Sequence, residues 1–254
     1  MWKSIFILLM LIPLQVRQEY PLKNGRPTSK GIEQYVEDHS ESLIREYQNF
    51  IGDTLYNTYI YTEDLTENGY YDPLELGRYY PNEVFITNAE VFLAYELSAF
   101  SKRGRDTISD SNLFVKAAVI HELTHHYIHQ VSMEMSRIEN IEVDRAYQTF
   151  FRIYRDQDEM GSKFIEEGIC EYVSEKMDEI IPPWKPFLPK NTADLTNEEN
   201  SYRVFYKYSS YYLTKFLDTT GLKRGIKILL HNPSPTSEEI LDPNLFFTRL
   251  QSIE

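Results

Sequence analysis

The run His121-Glu122-Leu123-Thr124-His125 holds the residues best suited to chemistry in this 254-residue chain. On a helix, positions four apart lie about 40° apart around the axis and about 6 Å apart along it, so His121 and His125 share one face. Imidazole nitrogens bind zinc at about 2.0–2.1 Å, and one ion can bridge a pair so placed. Glu122 follows one step on, about 100° round, which puts it beside such an ion rather than on it. There it can accept a proton from a water activated by the metal and pass it to a leaving group. The chemistry indicated is metal-assisted hydrolysis.

The surrounding residues favour a buried helix for this run. Ala117-Ala118-Val119-Ile120 precede it, no Pro or Gly interrupts it, and Leu123 and Thr124 are uncharged. His129 continues the stripe but lies about 12 Å along the helix from His121, too far for one ion to bridge all three. It is read as a surface or supporting histidine, and His126, off the stripe, as structural. A catalytic zinc needs a third protein ligand and an open position. The segment Phe164-Ile165-Glu166-Glu167-Gly168-Ile169-Cys170-Glu171-Tyr172-Val173 offers candidates for it.

His-Glu-x-x-His followed by Glu-Gly-x-x-x-Tyr resembles the gluzincins, zinc metallopeptidases whose third ligand is a Glu on a second helix, and relatives similar to plant basic secretory proteins. The resemblance covers about residues 80–221 at the level of motifs. It implies a zincin-like fold, one Zn2+ per chain, and peptide-bond hydrolysis with Glu122 as general base. It also implies Glu167, the residue before Gly168, as third ligand, with Gly168 letting the two helices approach closely at the metal. Glu166 would point about 100° away from Glu167, and Glu171, one turn on, is the rival ligand or an orienting partner for a ligand His. The run Asn140-Ile141-Glu142-Val143-Asp144 has Asn where other gluzincins carry the ligand. The family often uses a Tyr hydroxyl on the oxyanion. Of Tyr206, Tyr208, Tyr211 and Tyr212, Tyr208 is the candidate. No Gly-x-Met-Glu-Asn motif occurs, which points to an endopeptidase rather than an aminopeptidase.

The expected elements are a helix over 32–51, short strands at Thr58–Tyr61 and Glu83–Thr87, and a helix over 89–100. A long helix from Asn112 to about Met133 follows, then helices over 138–154, 162–177 and 198–219, the last ending near Gly221. Ile181 to Asn200 reads as a loop, and the Pro-containing tail as closing on a short helix. Glu83–Thr87 follows a Tyr-Tyr-Pro turn and is expected as an edge strand able to pair an extended substrate, an interior strand being the alternative. The fold class is α+β: a small mixed N-lobe, about 32–133, and a mostly helical C-lobe, about 134–254, of one domain. Residues 19–31 form a loose arm.

A formal net charge of −13 argues against a nucleic-acid partner, which would need a basic face, and against docking on an anionic membrane. Lys3 followed by the apolar run Ile5 to Leu14 has the size of a signal-peptide core, about half a membrane span. Residues 1–18 are therefore expected as a signal peptide or an uncleaved anchor, and the protein as exported. The single cysteine, Cys170, excludes an internal disulfide and reads as a buried inert thiol, since no basic partner accompanies it. The expected partner is a peptide or protein substrate, and oligomeric state is open. The competing function is a catalytically inactive peptide-binding module that keeps zinc as a structural pin; Glu122 argues against it, because a structural site has no need of a base.

Overall fold

The computed structural model describes residues 29–63, 77–80, 83–87, 112–138, 159–177, 187–197, 200 and 203–250. The leader and arm, the expected helices over 89–100 and 138–154 and the Asn140 run lie outside these residues. The described part is mostly helical, with one three-stranded sheet, as an α+β chain should be. These described residues divide into two compact units, those up to 49 with those of 56–126, and those of 50–55 with those from 127 on.

In the first unit, α1 (Ser29–Ile51) buries Val36, Leu43 and Tyr47, a stripe at helical spacing. The strands are β1 (Tyr59–Glu63), β2 (Gly77–Tyr80) and β3 (Glu83–Thr87). Their order is β1-β3-β2, with β3 parallel to β1 and antiparallel to β2. The expectation of an edge strand at Glu83–Thr87 is thus corrected: both flanks of β3 are paired, so its backbone is committed to the sheet. Among the described residues the edges are β1 and β2, the latter four residues that the sequence presented as the approach to a turn at Pro81. Val84, the second residue of β3, is fully buried.

The long helix α2 (Asn112–Ile138) crosses the division, which falls between His126 and Tyr127. Every residue from Ala118 to Ile128 is buried. A helix buried all round is fixed by its whole surroundings rather than by one apolar face.

The second unit is built on α3 (Glu159–Met177), which packs along a helix beginning with a π-helical stretch, Arg203–Tyr208, and continuing as α5 (Ser209–Thr220). Between them in the chain, α4 (Thr192–Thr196) occupies part of the expected loop. A Cβ on Gly168 of α3 would lie 2.8 Å from Ser209 Cβ and 3.0 Å from Leu213 Cδ1. Within this unit the helix that Gly168 lets approach closely is therefore α5, not the helix of the two histidines for which the resemblance implied it. Gly221 ends α5 at φ 79°, with its N–H on Leu217 O, and α6 (Leu222–His231) starts at once. The tail adds α7 (Ser237–Leu241), opened by a Thr236/Glu239 capping box, and α8 (Pro243–Arg249).

Candidate metal centre

His121 and His125 lie in the all-buried stretch of α2, 1% and 3% exposed, with ring centroids 5.1 Å apart. Their stretch of helix is held from several directions within the first unit. Tyr47 of α1 donates its hydroxyl hydrogen to Thr124 Oγ1 at 3.0 Å, and Thr124 donates in turn to Ile120 O at 2.8 Å. Lys116 pairs with Glu46 of α1. His126 Nε2 lies 2.8 Å from Thr58 Oγ1 and 3.0 Å from Tyr56 O, just before β1. Burial, the larger effect, holds the His126 imidazole below its usual pKa. It is neutral at physiological pH and ties α2 to the chain entering β1, the structural part expected of it. Glu122 is fully buried, and its side chain lies against Gly77 at the start of β2.

On α3, the three candidate carboxylates and Cys170 differ in surroundings. Glu166 is half-buried, while Glu167, Cys170 and Glu171 are buried. Glu171 is engaged by Lys207, which also lies 3.4 Å from Glu175 Oε1, and Glu175 accepts from Ser210 Oγ at 2.7 Å. The π-helical stretch buries Tyr206, Lys207 and Tyr208 in succession. Tyr208, the candidate oxyanion donor, gives its hydroxyl hydrogen to Ile240 O at 2.7 Å, and its ring packs with Phe164 and Tyr212. Tyr212 does the same to Glu239 O at 2.9 Å, so these two hydroxyls hold α7. Of the other two tyrosines, Tyr206 is buried and Tyr211 is exposed.

A buried group of His121, His125 and Cys170 could hold a metal ion. Each offers one ligand atom, and these atoms all lie within 4.8 Å of one another. Donors on one tetrahedral zinc stand about 3.5 Å apart at the usual bond lengths. Imidazole and thiolate are both zinc donors, and the set fits the ion. The third member is Cys170, read from the sequence as an inert thiol. Glu167, the ligand implied by the resemblance, stands three residues earlier on the same helix. The signal that could have raised Cys170 was its place one turn from Glu167. Lys207 and Gly77 carried no comparable signal, because each matters only through a residue distant in sequence.

No protein-family model matches the chain, and neither a curated protein nor a solved structure matches it.

Proposed function

We propose that the protein is an exported zinc-dependent peptidase of the gluzincin kind, with a zincin-like domain. The observation that supports it is the pair His121 and His125 on one face of a buried helix, with the buried carboxyl of Glu122 beside them. His121, His125 and one donor from α3 would hold the zinc. Cys170 belongs to the group of converging ligand atoms, while Glu167 is the ligand that the resemblance implies. Glu171, engaged by Lys207, is the weaker rival.

When bound, the zinc supplies Lewis acidity, activating water and polarising the scissile carbonyl. Glu122 accepts the water's proton on its carboxylate and delivers it to the amine nitrogen that leaves, so water and an amide become an acid and an amine. Deep burial removes competing water from around this carboxylate and strengthens its electrostatic action. The leader, Lys3 and Ile5 to Leu14, supports export. Elemental analysis of the purified protein tests the reading. One zinc per chain, lost in His125→Ala, is the expected result; no zinc, with none taken up on reconstitution, would overturn it.

A further inference from the structure

Gly77 opens β2, and a strand interior or end is a poor place for glycine, which contributes no packing and loses more chain entropy than other residues. Backbone conformation does not explain it. The described glycines with positive φ are Gly52 and Gly221, so Gly77 has a backbone that other residues adopt. Space does explain it. A Cβ built on Gly77 would meet Glu122 Cγ at 2.9 Å, Oε1 at 3.1 Å and Cδ at 3.3 Å. These are its three nearest neighbours, and all belong to one side chain. Ordinary carbon contacts begin at about 3.5 Å. Glu122 is fully buried, so its arm has no solvent to swing into if a methyl group is placed there.

We infer that Gly77 is the positioning residue of Glu122: the space left by its missing side chain is the seat in which the Glu122 arm lies, and so fixes the direction of the carboxylate. Resting on the proposed function, this makes β2 part of the catalytic apparatus. The strand serves through an absent side chain rather than a present one. The pairing of Gly77 with Ile86 of β3 fixes the height of that seat. A base displaced by an ångström loses much of its effect, because proton transfer depends steeply on approach.

A double-mutant cycle tests the inference by two readouts. Gly77→Ala should lower the melting temperature by on the order of 5 °C, the usual range for an added methyl in a packed site. In a Glu122→Ala background, which removes all three crowding atoms, Gly77→Ala should cost nothing. If Gly77→Ala alone fails to fold, the double variant should recover folding. Equal cost in both backgrounds, or no cost in either, overturns the contact. On activity, Gly77→Ala should lower kcat by about 10–100-fold with KM and zinc content unchanged. Unchanged kcat beside a coupled stability loss would show that the seat does not position the base, and would overturn the inference. The stability cycle needs no substrate, so it decides the contact even if the protein cleaves nothing, a result that would instead count against the proposed function.

Discussion

Lys207 is a buried ammonium, and removing it is the sharpest stability test of the second unit. Its side chain is 8% exposed and that of Glu171 is 9% exposed, with Glu175 as a second carboxylate 3.4 Å away. Lys207→Met keeps the length and the apolar stem of the side chain but leaves the Glu171 carboxylate without its cation. Breaking a buried pair from one side costs about 3–5 kcal/mol, which in a chain of this size lowers the melting temperature by roughly 6–20 °C. Lys176→Met is the control. Lys176 and Asp218 are 41% and 46% exposed, and such a pair contributes about 0–1 kcal/mol. Lys207→Met combined with Glu171→Gln should recover part of the loss, since one stranded charge goes with it. Burial, the largest influence, holds the Glu175 carboxyl above its ordinary 4.5. A raised acid binds its proton more tightly when folded, so it favours the folded state at low pH and loses that contribution as pH rises. The Lys207→Met deficit should therefore shrink as pH falls towards the ordinary carboxylate range. Thermal unfolding followed by circular dichroism measures all of this. A Lys207→Met protein no less stable than Lys176→Met would refute the reasoning.

Gly168→Ala should destabilise even though alanine is the better helix former. A propensity gain of about 1 kcal/mol is set against an overpacking cost of about 1–3 kcal/mol where Ser209 and Leu213 crowd the site, and urea midpoints give the sign. Arg249 donates to both carboxylate oxygens of Glu239, to Pro233 O and to Ser234 O, tying α8 to α7 and the chain before it. The hydrogen bond from Arg249 is the largest cause holding Glu239 below its ordinary 4.5. A depressed acid stabilises the fold above 4.5 and loses that contribution as pH falls through its lower folded value. Arg249→Met should flatten acid unfolding in that window. For the third ligand, zinc retention in Glu167→Gln and Cys170→Ser decides between two donors, since losing one true ligand should release the metal.

The metal helix was legible because its signals are local: two His and a Glu at fixed spacing, in apolar surroundings without breakers. The helices at 29–51 and 159–177 and the stop at Gly221 were legible for the same reason, through periodicity and a residue able to take positive φ. Strand β2 was not, since Gly77–Tyr80 is short, opens with glycine and shows no alternation before Pro81. Its presence moves β3 from edge to centre, so one missed strand inverted the role of its neighbour. Helix α6 was not legible, because it begins directly after Gly221 and contains Gly225. Nothing local marks Lys207 in the sequence, since its partners Glu171 and Glu175 lie 36 and 32 residues away. Cys170 was weighed as a lone thiol, and its meaning depends on which histidines share its surroundings.

The central claim is that Glu122 drives peptide-bond hydrolysis beside a zinc held by His121 and His125. One comparison tests it most directly: digestion of a broad peptide library by zinc-loaded wild type and by Glu122→Gln at matched zinc content. Glutamine keeps the volume of the side chain but cannot accept the proton. The wild type should cleave, and the variant should be at least ~10²-fold slower with its zinc intact. A variant as active as the wild type, or a zinc-loaded wild type that cleaves no member of the library, would contradict the account.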